Sequence, residues 1–122
     1  MLATRITCLL FVGAVLVSIC AAQAPVMGPS KFYRGHYRHG FKVYEFTPCG
    51  AKKPWSVSIE GDVASLVKAV TSSGGLIGGL AYVELHGRLS PPGHWGHLNQ
   101  YRHEITVDRV LRASRKSPLD CQ

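Results

Sequence analysis

Six histidines are the residues most able to do chemistry in this 122-residue sequence. His94 and His97 flank Trp95-Gly96, and His86 and His103 sit in the segments on either side. Neutral imidazoles at such spacing suit Cu(II), Zn(II) or Ni(II). A set of His94, His97 and His86 is therefore the candidate metal site. Metal sites need a counted ligand set with a supporting shell. Here the neighbouring segments offer Glu84 and Glu104 and no thiolate. In the competing reading, His94 and His97 order their own loop by hydrogen bonding to its backbone. Nucleophilic catalysis needs a nucleophile, a base and an orienter within reach of one another. Ser90 and His86 are the nearest approach to such a set, but no nucleophile elbow surrounds the serine. With only seven Asp and Glu in the chain, paired carboxylates of the glycosidase kind are also scarce. The expectation is a protein that is not an enzyme and has no resident cofactor, with copper or zinc binding as the alternative.

The N-terminus sets the chemistry available to the cysteines. Leu9 to Ala24 carries no charge, Arg5 precedes it, and small residues follow at Cys20, Ala21 and Ala22. The apolar run Leu9–Ile19 has the length of a signal-peptide core and is short for a membrane span. Residues 1–22 read as a signal peptide cleaved after Ala22. The competing reading takes Val17-Ser18-Ile19-Cys20 as a lipobox, with Cys20 lipidated and the protein held at a membrane. Either way the expected location is exported: periplasmic or secreted, or anchored as a lipoprotein.

Export leaves Cys49 and Cys121 in the mature domain. Two cysteines in an oxidising compartment usually pair. Such a bond would close a long loop and contribute about 4 kcal/mol in the chain-entropy account. Two separate thiols are the other possibility. Without Arg5 the chain keeps 13 Lys and Arg against 7 Asp and Glu, a net charge of +6. That balance suits an anionic surface, an acidic glycan or simple solubility.

The elements that must position these residues follow from periodicity. Residues 23–30 form a leader with two prolines and a glycine, and order is expected from Lys31 onward. Phe32 to Arg38 alternates, with Arg34, His36 and Arg38 on one face and Tyr33, Gly35 and Tyr37 on the other. His39-Gly40 reads as a tight turn into a second strand, Phe41 to Phe46. A Pro/Gly loop carrying Cys49 follows, then a short strand in which Trp55, Val57 and Ile59 alternate with serines. Val63, Leu66, Val67 and Val70 make a helical stripe with Asp62 at the N-cap and Gly74-Gly75 as the stop. Ala81 to Leu89 is the clearest strand. A long loop, Ser90 to Gln100, leads to a last strand from about Tyr101 to Leu111, with a bulge near Arg109 and a basic tail over 112–116.

Three strands, one helix and two strands is the order of an OB-fold, a five-stranded Greek-key barrel. Residues 31–122 are expected to form that β1-β2-β3-α-β4-β5 barrel: all-β, one helix, with the helix plugging an open end and Gly35 at the bend in the first strand. A split α+β sheet is the alternative. OB barrels bind along strands two and three and in the loops joining strands one–two and four–five. The first of those loops is tight here, so recognition falls to the 91–101 loop. Its His94, Trp95, His97 and Tyr101 are the candidate binding residues, with Arg34, Arg38 and Lys42 as a cationic flank. For the arginines the plainer reading is a solvated strand face. Interleaved aromatic and basic residues also suit nucleic acid, but export argues against that partner.

Several pieces share a pattern: Phe46-x-Pro48-Cys49-Gly50, Trp55-x-Val57, the 81–90 segment Ala-Tyr-Val-Glu-Leu-x-Gly-Arg-Leu-Ser, Gly96-His97-Leu98-x-x-Tyr101 and a terminal cysteine. Over roughly residues 33–121 the chain resembles small exported OB-like proteins related to the C-terminal domain of NlpE-type envelope lipoproteins. The resemblance implies a disulfide-bearing β-barrel without an established catalytic site. Apart from the resemblance, the loop and the basic residues beside it lead to the expectation of a non-enzymatic envelope module that docks a protein, a glycan or an anionic surface through residues 91–101.

Overall fold

Alternation builds the strands, and register closes them into a barrel. The computed structural model describes residues 26–40, 42–72 and 79–122. Strand β1 spans Lys31–Gly40 and β2 Val43–Pro48. β3 is Trp55–Val57, and helix α1 covers Val63–Ser72. β4 runs Leu80–Leu89 and β5 Glu104–Arg115. The strands pair in the order β1-β2-β3-β5-β4 and back to β1, a closed barrel. All pairs are antiparallel except β3 with β5, where Ser56 lies beside Glu104 and Val57 beside Ile105. This is the expected all-β, one-helix, five-stranded OB-like architecture. The 1–22 signal segment and the Gly74-Gly75 helix stop fall outside the described residues, as does Phe41, the expected start of the second strand.

β1 belongs to both halves of the barrel. Its residues Lys31–Arg38 pair with β4, and Gly35–Gly40 pair with β2. Gly35 lies in both ladders, opposite Pro48 and Val83. A Cβ there would stand 2.1 Å from the Thr47 carbonyl oxygen. Only glycine lets β2 approach a strand that is bending between two sheets.

Inward positions fill the barrel. Tyr37, Phe46, Val83, Leu85, Ile105 and Val107 are buried, and α1 adds Leu66 and Val70. Val63 packs against this cluster more loosely. The Tyr37 hydroxyl is the one buried side-chain polar atom among the described residues with no hydrogen-bond partner. Asp62 caps the helix, its Oδ1 accepting the Ser65 N–H at 3.1 Å. The Ser65 side chain first, and then this amide bond, hold the Asp62 carboxyl below its ordinary pKa. No helix of the described residues is long and apolar enough to cross a membrane.

Several boundaries differ from the periodicity reading. The first hairpin turns after Gly40, not at His39-Gly40, because Gly40 pairs with Val43 and His39 with Tyr44. Lys42 takes φ 60°, the left-handed conformation a two-residue hairpin turn requires. β3 ends before Ile59, which is 79% exposed. The chain leaves the sheet once Ser58 N–H has reached the Ile105 carbonyl at 2.9 Å. The basic stretch over 112–115 is not a tail. It continues β5, pairing with Ala81–Glu84. The ladder slips twice, leaving Asp108 and Leu111 unpaired on either side of Arg109. Ahead of β1, the Gly28 N–H already donates to the Leu89 carbonyl at 2.8 Å.

Cys49 and Cys121 are joined, with Cα atoms 5.2 Å apart. The bond ties the loop after β2 to the C-terminal turn. His36 Nε2 meets Asp120 Oδ2 at 2.9 Å beside it, and the Ser117 N–H donates to the same oxygen at 2.6 Å.

Candidate functional site

The connection from β4 to β5 folds over the barrel wall. Trp95 and Tyr101 exchange backbone hydrogen bonds at 2.8 and 3.1 Å, and Gly93 N–H reaches Arg102 O at 2.9 Å. Between them His97–Asn99 forms a single 3-10 turn. The Trp95 indole N–H donates to the Pro91 carbonyl at 3.0 Å. The loop is thus ordered by its backbone and by Trp95, rather than by the imidazoles of His94 and His97. His103 is the histidine that does bind local backbone, with Nδ1 3.1 Å from the Ser90 carbonyl.

Gly96 brings this loop down onto β3. It has φ 69°, and a Cβ there would lie 2.4 Å from the Ser56 hydroxyl. The close approach leaves Ser56 and Ser58 buried although they face away from the core. Between the loop and the β2–β3 wall lies a cleft of about 460 Å³. Tyr44, Trp95 and Tyr101 give it aromatic surface, and Ser56, Glu60 and Glu104 give it hydrogen-bonding groups. Lys42 and His97 also border it. Burial pushes the Glu104 carboxyl above its ordinary pKa; the Ser56 hydroxyl opposes this and the nearby Glu60 charge adds to it.

Tyr101 is locked in place. Its hydroxyl donates to Glu45 Oε1 at 2.5 Å, and Glu45 Oε2 accepts Arg38 Nη2 at 2.8 Å. Burial, with that bond to Glu45, pushes the Tyr101 phenol up to about 12. Arg38 is therefore the end of a chain that fastens the loop to the β1–β2 hairpin. It is not the free cation the sequence suggested.

The structure brings Trp95, His97 and Tyr101 together at the cleft, with Arg38 behind Tyr101. His94 is exposed on the same loop, outside the cleft lining. Arg34 is elsewhere, opposite Glu84 of β4. His86 is also on that side, its ring edge-on to Phe32 at 6.1 Å and its backbone opposite Arg109. His94, His97 and His86 therefore do not converge, and among the described residues no group of three or more His, Cys, Asp or Glu side chains is placed to hold a metal. The Ser90 hydroxyl is engaged in the turn, donating to Pro91 O at 3.0 Å and accepting the Glu104 N–H at 2.8 Å. Trp55 packs edge-on against Tyr33 at 5.4 Å and lies 6.0 Å from Phe46.

Tyr44, Ser56, Ser58 and Glu60 were not singled out from the sequence, and Glu104 only as a carboxylate near the candidate metal site. The available signal was the outward alternation of Ser56 and Ser58 in β3, with Tyr44 on the facing strand. It gains meaning only once a loop is known to cover that wall.

Fold and cleft together define a class: a small closed five-stranded barrel, OB-like in element order and topology, with a ligand-sized cleft under its β4–β5 connection. No protein-family model, curated protein or solved structure matches the chain.

Proposed function

We propose that this chain is an exported, non-enzymatic envelope module that binds a glycan in the cleft beneath the 91–101 loop. The observation that carries this reading is the cleft itself, about 460 Å³, with Tyr44, Trp95 and Tyr101 beside Ser56, Glu60 and Glu104. Aromatic faces with a few placed polar groups are what a small polar ligand needs. Two carboxylates in the lining favour a neutral or amino sugar over an anionic surface at this position. The Cys49–Cys121 bond supports an oxidising compartment. Kinship with the NlpE-type lipoproteins rests on the sequence pattern around Phe46-x-Pro48-Cys49-Gly50 and belongs to the same proposal.

The test is a tryptophan-fluorescence titration of the disulfide-bonded protein with a panel of neutral and N-acetylamino oligosaccharides. Saturable binding to at least one, lost in Trp95→Ala while the thermal melt is retained, is the expected result. No response across the panel, or undiminished binding in the variant, sinks the reading. Cu(II) and Zn(II) in the same titration test the rival, in which His94, His97 and a third ligand hold a metal.

A further inference from the structure

The outer face of the β1–β4–β5 sheet carries a different chemistry. Register sets Arg34, Glu84 and Arg112 side by side across three strands, with His36, Tyr82 and Ser114 in the next outward row. Neighbouring strands lie about 4.8 Å apart, so Arg34 and Arg112 flank β4 with roughly 10 Å between their Cα atoms. Two arginine side chains span that separation and can meet over one ligand.

The C-terminal turn roofs this row. Cys121 is bonded to Cys49, and Asp120 is held by His36 and the Ser117 amide. Between roof and sheet is a cleft of about 540 Å³, bordered by Arg34, Arg112, Arg115, Tyr82 and Glu84. That is room for a group the size of a sugar phosphate.

Its charges do not cancel. Glu84 accepts the Tyr82 hydroxyl at 3.1 Å, and among the described residues neither Arg34 nor Arg112 forms an ion pair. Asp120 is already committed. The Ser117 amide foremost, and then His36, keep its carboxyl below the ordinary range. A guanidinium presents a planar fork of donors that fits oxyanions. A planar carboxylate presents both its oxygens to one such fork within a single plane. A tetrahedral phosphate offers oxygens to two forks arriving from different sides, which is what arginines on either flank of one strand supply.

We propose that this cleft is a second binding site, for a phosphate ester, with Arg34 and Arg112 gripping the phosphoryl oxygens and the disulfide-held C-terminal turn forming its wall. It lies away from the loop cleft and does not depend on the glycan reading. The ester is either a lipid headgroup or a soluble phosphorylated compound, and the test separates the two.

The disulfide-bonded protein is titrated calorimetrically with glycerol 3-phosphate at low ionic strength, with acetate as the carboxylate control. In parallel it is floated with vesicles of phosphatidylglycerol or of phosphatidylcholine. The expected result is saturable binding of a phosphate ester, at least tenfold weaker in Arg34→Gln and in Arg112→Gln. It should be unchanged in Arg88→Gln, whose guanidinium is engaged by Asp108 at 3.1 Å. Capture by phosphatidylglycerol vesicles with weak binding of the soluble ester assigns the site to lipid; the reverse assigns it to a free phosphorylated ligand. The proposal is overturned if neither phosphate ester binds, if acetate binds as well as phosphate, or if the Arg34 and Arg112 variants bind like the parent.

Discussion

Removing the Cys49–Cys121 crosslink tests how far this barrel depends on that covalent tie. In the double variant Cys49→Ala/Cys121→Ala, the loop released spans 72 residues. Constraining a loop of that length in the unfolded chain is worth about 4 kcal/mol in the chain-entropy account. Neither cysteine is fully buried, so little packing is lost with the sulfurs. The effect should therefore sit almost wholly in the unfolded state. A domain of this size has a total stability of about 5–15 kcal/mol, so the loss is between a quarter and most of it. At about 4–8 °C per kcal/mol for small domains, the melting temperature should fall by roughly 15–30 °C. Thermal and urea melts followed by circular dichroism measure both quantities. The urea m-value should rise as well, because an uncrosslinked chain exposes more surface when it unfolds. A fall in melting temperature below about 5 °C with an unchanged m-value would refute the reasoning. So would an oxidised parent in which both cysteines are found alkylatable by intact mass.

Three further perturbations probe the fold and the loop cleft. Gly35→Ala drives a methyl into the Thr47 carbonyl and Pro48 Cα, backbone atoms that cannot swing aside; a loss of about 2–3 kcal/mol in urea melts is expected, and a neutral result would mean the bend does not need glycine. Tyr37→Phe removes a buried hydroxyl without a described partner; it should leave stability unchanged or raise it by about 1 kcal/mol, whereas a clear loss would reveal a partner. Glu104 has a folded-state pKa above its unfolded value, so its favourable contribution is complete below the unfolded pKa and is lost as pH rises through the folded one. Glu104→Gln should accordingly improve stability more at pH 7 than at pH 4, and a larger gain at the acidic end would contradict the burial of that carboxyl.

The fold was legible because its elements are locally consistent. Tyr33, Gly35 and Tyr37 alternate with arginine and histidine in β1, and Leu66 and Val70 fall one helical turn apart beneath an Asp62 cap. These patterns need no distant partner to be read. What misled was local punctuation that tertiary pairing overrode. Gly40 looks like a turn residue, yet it pairs with Val43 in the ladder. Ile59 continues the alternation of Trp55 and Val57, but the sheet has already ended. Arg112–Arg115 has the composition of a solvated tail, and only β4 lying alongside makes it a strand.

The site was legible by loop and illegible by face. Trp95, His97 and Tyr101 are close in sequence, so one segment delivers them together. Arg34 and Arg38 also looked like partners, since both point outward from the same strand. Alternation fixes inside and outside but says nothing about which stretch of a curved wall an outward residue joins. β1 bends at Gly35, between the two arginines. Beyond the bend, Arg38 is carried to β2, where it pairs with Glu45, which also accepts the Tyr101 hydroxyl. Before the bend, Arg34 stays with β4 and faces Arg112 across Glu84. A single glycine thus divides the outward cations of one strand between two environments: one bound into the support of an aromatic, carboxylate-lined cleft, the other in an arginine-lined cleft without an ion pair of its own. The net positive charge of the chain is consequently a poor guide to either, because each cleft's preference is set by which carboxylates the barrel register places beside its cations.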